Sequence, residues 1–379
     1  MRIVFWQNSL SPHQLPYITQ LIKNENVNQV IIAVPYTISE SRKNMGWSIE
    51  SIPESSNFKV LVNPDKQTID SLLKEDQENS YHLFSGIRGF QFVFDVFQQS
   101  LKYNIKRGII TECPYTYGFG LGNGKPLWLH RLRFLIQDKK YIPYISYVFA
   151  IGENAAKYYH SISHKWKVFQ FAYCTKSENN DKKKTDLDVP SIARFSFLGS
   201  LSQRKAPIHI LKALHLNIKK KKNFLYNIDF IGNGKLLTQL KQYTNKKQLR
   251  NVQFLGYKTN NEAISILKGE DILILPSIHD GWGAVVNEAL AKGLYIICSD
   301  ACGAKDLLSN PLCGQVFKVG NYKELAQILL YCSQNIEEIR SYRDFRKNWA
   351  INHISGQVIA NYMIDCLSNK NTKAPWFLQ

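Results

Sequence analysis

The stretch PSIHDGWGAVVNEALAKGLYIICSD, Pro276 to Asp300, reads as a loop, a largely apolar helix and a strand. A helix that feeds straight into a strand is the repeating step of a parallel sheet with crossover connections. The start of this helix is unusual. Asp280 is followed at once by Gly281-Trp282-Gly283, and a second acid, Glu288, stands eight positions on among apolar residues.

The same step recurs along the chain of 379 residues. In the first half, β-branched and aromatic runs fall at Arg2–Trp6, Gln29–Val34, Phe58–Val62, Tyr81–Phe84, Arg107–Thr111, Tyr147–Ile151 and Lys167–Phe171. Thr175 to Ser191, TKSENNDKKKTDLDVPS, is polar and charged, the composition of a linker. The pattern then restarts at Arg194–Leu198, Tyr226–Ile231, Val252–Leu255, Ile272–Leu275 and Tyr295–Cys298, and from Asn321 onward it reads as helices only. We therefore expect an α/β chain of two doubly wound domains, residues 1–185 and 186–347, with a terminal segment 348–379. Ligands of such sheets bind at the carboxyl ends of the strands, so a cleft between the domains is the expected site.

Composition sets bounds on this reading. With 44% hydrophobic residues the chain can bury two cores, and no apolar run approaches the roughly 20 residues that cross a bilayer. Seven cysteines, none in a CxxC pair, and a start, MRIVFWQNSL, that turns polar too soon for a secretory signal point to reduced thiols in a cytoplasmic protein. The net charge of +18 admits nucleic acid, anionic membrane and phosphorylated ligands as partners. Runs such as Lys219-Lys220-Lys221-Lys222 are equally explained as solvated faces, so charge permits these partners without selecting one.

Three more strand ends in the second half share a feature. FLGSLSQRKAPIHILKAL places Gly199 after a strand and Arg204-Lys205 before a helix. IDFIGNGKLLTQL places Gly232 and Gly234 at the next turn, and VQFLGYKTNNEAISIL places Gly256 and Tyr257 after the third. One such glycine is ordinary turn chemistry; four strand ends in order, one with paired cations, are a pattern.

Together they resemble the retaining glycosyltransferases of family four, the group 1 sugar transferases, whose GT-B fold has two Rossmann-like domains. The resemblance covers Arg194 to Asn321 well and the first half in outline. It implies that Asp280 and Glu288 stand for the two acids of an E-x7-E motif, the first on hydroxyls of the donor sugar and the second on the ribose. It implies Lys205 on the donor diphosphate and Gly256-Tyr257 beside the nucleobase, with Gly199 and Gly232 in the same donor-binding turns. Asp280 is one methylene shorter than the family's Glu. Ser200 stands where the family has Arg, and Arg204 is the candidate to supply that charge. The first-domain glycine-rich loop is replaced by QNSLSPHQLPYI. The implied C-terminal helix crosses back onto the first domain, with Trp349, Trp376 and Phe377 as anchors.

The chemistry suits these residue types. Breaking a sugar–diphosphate bond leaves positive charge on the sugar and growing negative charge on phosphate, which aimed donors stabilise. Glycines at 281 and 283 let backbone approach a ligand closely, and amides at the start of a helix from about Ala284 face a diphosphate. With Lys205 and Arg204 adding full charges, no metal and no other cofactor is expected. The alternative is that Asp280 caps the helix and Glu288 is partly exposed. No carboxylate is an obvious nucleophile, and the family resemblance implies front-face attack with retention.

In the first half, Ser11-Pro12-His13-Gln14 has the form of a capping box, and the resemblance puts His13 near the donor as a catalytic candidate. Glu112 ends a strand on the acceptor side. A glycine–aromatic loop from Tyr115 to Gly124, which includes Tyr117, reads as a lid. Leu127, Trp128, Arg131, Arg133, Phe134, Lys139, Lys140 and Tyr141 mix basic and aromatic residues at helical spacing. That mixture suits an anionic membrane surface and a lipid-linked acceptor, or an ordinary helix with snorkelling cations. Arg88 to Leu101, RGFQFVFDVFQQSL, is apolar nearly all round and reads as a buried helix.

The expected activity is transfer of a sugar from a nucleoside diphosphate sugar, with UDP the commonest choice in the family, to a saccharide acceptor. The acceptor expected from family habit is a lipid-linked precursor of bacterial surface polysaccharide, met by a protein peripheral to the inner face of the cytoplasmic membrane. Two rivals remain open at this stage. A nucleotide-sugar epimerase on the same fold would act on donor alone, and a basic nucleic-acid-binding protein would bind in a salt-sensitive way.

Overall fold

Thirteen strands, all in parallel pairing, form two sheets in the computed structural model, which describes residues 1–40, 55–114, 127–174, 192–220 and 224–377. The chain divides into two units, Met1–Lys176 with Ser355–Gln379, and Ser177–Ile354.

The first unit holds β1 (Arg2–Trp6), β2 (Gln29–Val34), β3 (Phe58–Val62), β4 (Ser80–Phe84), β5 (Lys106–Glu112), β6 (Tyr147–Ile151) and β7 (Lys167–Phe171), in the order β3-β2-β1-β4-β5-β6-β7. The order reverses between β1 and β4, the point where ligands of doubly wound sheets enter. β1, β4 and β6 are buried along their whole length, as strands covered by helices on both faces must be. Some polar groups taken into this core find partners, while Gln7 Oε1 and His82 Nε2 have none among the described residues. Trp6 Nε1 donates to His82 Nδ1 at 3.1 Å, and burial drives the His82 pKa down to about 3, so the ring stays neutral.

The second unit holds β8 (Ala193–Leu198), β9 (Tyr226–Ile231), β10 (Val252–Gly256), β11 (Ile272–Leu275), β12 (Tyr295–Ser299) and β13 (Gly314–Phe317), in the order β10-β9-β8-β11-β12-β13. Here the reversal lies between β8 and β11. The fold is the two-sheet, doubly wound architecture that the alternation predicts. Twelve of its strands stand where the sequence places them within a residue or two, and β13 does not. Its four residues begin with Gly314, where a Cβ would stand 2.2 Å from the carbonyl oxygen of Ile296, so a close backbone approach selects the residue and no β-propensity marks it.

Several local expectations change. The helix after β1 runs Leu15–Leu21 with Gln14 at its N-cap, not from Ser11, and Ser11–Gln14 forms a turn with Ser11 O accepting from Gln14 N and Leu15 N. The helix Gln91–Ser100 is buried on one face only, through Val93, Val96, Phe97 and Ser100, because Gln91, Asp95 and Gln98 face solvent. Trp349 belongs to the second unit, stacked on His353 with centroids 4.8 Å apart, and Phe377 is 42% exposed; of the three expected anchors only Trp376 is buried in the first unit. The last helix, Gly356–Leu367, packs on Leu15–Leu21 so closely that a Cβ on Gly356 would meet the Pro16 carbonyl oxygen at 2.4 Å. The polar linker 175–191 lies outside the described residues.

The turns after β8, β9 and β10 are bonded to one another, Gly199 N to Ile231 O at 3.0 Å and Gly232 N to Gly256 O at 2.8 Å. Gly232 has φ +135°, and a Cβ there would stand 2.0 Å from Gly199 O, whereas Gly256, at φ +69°, has open space around it. Gly256→Ala should cost about 1 kcal/mol of stability through its left-handed backbone alone, and Gly232→Ala about 2–4 kcal/mol because backbone must also move. Urea unfolding of the two variants checks this, and equal losses would show that the carbonyl contact imposes nothing.

Candidate functional site

Adjacent parallel strands deliver their following loops to one edge of the sheet, so the loops after β8 and β11 lie side by side at the reversal point. Ile278 N donates to Arg204 O at 2.8 Å and knits them together. The loop after β8 carries Lys205, whose Nζ donates to Asp280 Oδ2 in the loop after β11. Arg204 Nη1 stands 3.6 Å from Asp280 Oδ1 and donates to the His279 carbonyl at 3.1 Å. Asp280 is 9% exposed, and an acid so far out of water is tolerable only beside cations. The residue after Lys205, Ala206, holds φ +48°, a conformation that a non-glycine residue adopts at a cost of about 1–3 kcal/mol. His279 is pushed toward the neutral form, first by burial, although Asp280 favours its charge.

The backbone on either side of Asp280 is fixed from β12. Asp280 N donates to Ala301 O at 3.1 Å, Gly303 N to Asp280 O at 3.0 Å and Ala304 N to Trp282 O at 2.8 Å. These bonds explain the glycines differently from ligand approach. At Gly283, φ +96°, a Cβ would meet Cys302 Sγ and Leu275 Cδ2, each at 2.8 Å, and Gly281 O lies 2.1 Å from where a Gly303 Cβ would stand. Protein packing requires glycine at 283 and at 303. The Trp282 side chain is likewise core, 1% exposed, its Nε1 donating to Asn287 Oδ1 at 2.7 Å. Cys302 Sγ donates to Trp282 O at 2.9 Å, and burial drives its thiol pKa well upward.

The helix itself runs Val285–Ala291, with Ala284 at its N-cap and no side-chain cap bond, so Asp280 is not its capping residue. At seven residues it is short, and its dipole is correspondingly a local matter of the amides of its first turn. Glu288 lies one turn inside and half-buried; burial raises its pKa from 4.5 to about 7, against the pull of Lys292. Gly199 and Gly232 line up in the turns already described, and Tyr257, 47% exposed, stands beyond β10.

The first unit gathers a second group. His13, Glu112 and Tyr173 come from the loop after β1, the end of β5 and the segment after β7, and all three are half-buried. Tyr173 was not singled out by sequence; no residue pattern marks it, since only the parallel sheet brings it to Glu112. Tyr117 and the loop Tyr115–Gly124 lie outside the described residues, apart from which the helix Leu127–Gln137 is regular. Trp128, Leu132 and Ile136 on that helix are 62%, 48% and 74% exposed, a stripe at four-residue spacing flanked by exposed Arg131 and Arg133. Phe134 and Tyr141, expected on the same surface, turn inward instead. Phe134 packs edge-on against Trp166 at 5.7 Å, and Tyr141 is 2% exposed. No helix among the described residues is long and apolar enough to cross a membrane.

Comparison with known proteins agrees with this geometry. A family model for glycosyl transferases group 1 matches residues 178–349. The chain is 30% identical over 129 residues to the amylovoran biosynthesis glycosyltransferase AmsK of Erwinia amylovora, covering 32% of each chain. It is 26% identical over 140 residues to the UDP-Gal:alpha-D-GlcNAc-diphosphoundecaprenol alpha-1,3-galactosyltransferase of Escherichia coli, covering 36% of this chain and 35% of that one. These matches thus span about a third of the length of the curated relatives. Among solved structures, Anabaena Alr3699/HepE in complex with UDP superposes with a TM-score of 0.68 at 14% identity, over 97% of this chain and 100% of that one, which establishes the GT-B fold. Residues 178–349, the stretch that carries the second sheet, are thus similar to the glycosyl transferases group 1.

Glu288 gives a test of the site's electrostatics. Its folded pKa of about 7 lies above the ordinary 4.5, so the folded state holds a proton that the unfolded state releases between those values. Stability therefore falls as pH rises through that window, by at most about 3 kcal/mol. Glu288→Gln should be more stable than the wild type at pH 8, with the difference closing near pH 4.5. Urea midpoints at both pH values measure it, and a pH-independent difference would refute the buried carboxyl.

Proposed function

We propose that this chain is a retaining glycosyltransferase that moves a sugar from a UDP-sugar to a lipid-linked saccharide in the building of a bacterial surface polysaccharide. The observation that carries the reading is the Lys205–Asp280–Arg204 cluster inside the group 1 domain, two cations and an acid at the strand reversal of a nucleotide-type sheet. The UDP and lipid-linked parts are supported by the relatives' own descriptions, UDP bound to HepE and a diphosphoundecaprenol acceptor for the E. coli enzyme.

In the free protein Lys205 and Asp280 neutralise each other. A donor diphosphate offers Lys205 and Arg204 a stronger anion, and the sugar hydroxyls offer Asp280 replacement donors, so binding exchanges one set of partners for another. As the sugar–phosphate bond breaks, the two cations meet the charge that grows on the phosphate oxygens, which is where fixed charge lowers a barrier most. They do so without a metal. Glu288 accepts from the ribose hydroxyls, and Tyr257 offers its exposed ring to the base. Attack by the acceptor on the face of the leaving phosphate then gives retention.

The stripe Trp128, Leu132, Ile136 with Arg131 and Arg133 is the surface that rests on anionic lipid, where apolar side chains enter the interface and cations meet headgroups.

Thermal-shift titration with UDP-, GDP-, ADP- and TDP-sugars should select UDP. Asp280→Ala should then lower transfer at least about a hundredfold while UDP still binds; turnover like the wild type would remove Asp280 from the site. For the membrane face, the wild type should co-sediment with phosphatidylglycerol vesicles. Leu132→Ser with Ile136→Ser should weaken this about tenfold or more, and equal sedimentation of both proteins would sink the assignment.

A further inference from the structure

Three segments far apart in sequence meet at the carboxyl edge of the first sheet. Glu112 is the last residue of β5, in register with Ile151 of β6. Tyr173 lies two residues beyond β7, and its hydroxyl donates to Glu112 Oε1 at 2.9 Å, reaching across the end of β6. The His13 ring stands 6.2 Å from the Tyr173 ring, centroid to centroid, tilted by 32°. The backbone makes the same junction independently. His13 O accepts from Cys174 N at 3.1 Å and from Cys174 Sγ at 3.5 Å, and Cys174 is fully buried. The loop after β1 is held at its other end by Gln7, 2% exposed, whose Nε2 donates to Gln14 Oε1 at 2.9 Å. The Gln7 Oε1 has no partner among the described residues although its side chain is buried, so a polar acceptor is left at the reversal point of this sheet.

We infer that Tyr173 is a positioning residue that locks the Glu112 carboxylate and the His13 ring into one site for the hydroxyls of the saccharide acceptor. The inference rests on the transferase reading above and deepens its acceptor half. The chemistry is that of sugar recognition. A carboxylate accepts from several directions, and the Tyr173 bond sets the one in which Glu112 meets vicinal hydroxyls. The Tyr173 side chain serves two purposes at once, because its ring lies beside the His13 ring while its hydroxyl sets the acid. A charge-assisted bond of this kind also fixes which oxygen of Glu112 turns toward the ligand. Holding an acceptor group by preset partners chiefly lowers the concentration of acceptor needed, with little effect on donor affinity.

The test compares wild type, Tyr173→Phe, Glu112→Gln and the double variant. The probes are UDP-galactose and UDP-glucose as donors, with GlcNAc-diphosphoundecaprenol and octyl glycosides as acceptors. Tyr173→Phe keeps the ring against His13 and loses the hydroxyl's bond to Glu112. We expect acceptor KM to rise about tenfold, with kcat and the dissociation constant for UDP within about twofold of wild type. In the Glu112→Gln background the same change should raise acceptor KM by much less, since the hydroxyl then meets a neutral amide oxygen in place of a carboxylate. An unchanged acceptor KM in Tyr173→Phe, or a loss that falls equally on kcat and on UDP binding, overturns the inference while leaving the transferase reading intact. A wild type that binds no nucleotide sugar, or binds one and transfers to none of these acceptors, overturns the parent reading and the inference with it.

Discussion

A carboxylate drawn almost entirely out of water has to be met by positive charge, and Asp280 is met by Lys205 and Arg204 from another loop. Everything around the second unit's reversal point serves that meeting. The loop after β11 is bonded to β12's loop through Asp280 N and O, and to β8's loop through Ile278 N, so the acid cannot drift from its partners. Ala206 accepts a left-handed backbone beside Lys205, and Gly283 gives up a side chain to Cys302 and Leu275. A desolvated ion pair contributes little net stability, since desolvation offsets most of the attraction. What it contributes is a charged pair ready to exchange partners when an anion with hydroxyls arrives.

The opposite edge of the same sheet shows what a purely structural pairing looks like. Asp271, 2% exposed, accepts from Arg340 Nε at 3.1 Å and Nη2 at 2.9 Å and from Arg194 N at 3.0 Å. Buried Arg346 donates to the carbonyls of Gly293, Leu312 and Ile339. These cations are saturated by several fixed acceptors each and tie helices to strand starts. Lys205, by contrast, is a flexible ammonium on a single carboxylate, which is the arrangement that can be exchanged. In the first unit Tyr173, Glu112 and His13 are likewise brought together by the sharing of one edge among parallel strands.

Local sequence carries period and turn chemistry, and those determined the two sheets, twelve of the thirteen strands and the strand ends at which chemistry gathers. They also marked Lys205, Arg204 and Asp280, because charge at a glycine-bearing strand end is visible as residue type and spacing. Local sequence does not carry strand order or what lies across a turn, and those decided the rest. β13 is short and begins with a glycine chosen by the Ile296 carbonyl, so it showed no strand signal. Gly283 reads as room for a ligand, yet the room is filled by Cys302 and Leu275; only the tertiary structure could reveal that. Phe134 reads as a surface aromatic until Trp166 packs edge-on against it. Tyr173 meets Glu112 across 61 residues of chain, a contact that exists because β5, β6 and β7 run parallel and end together, and that no spacing along the sequence encodes.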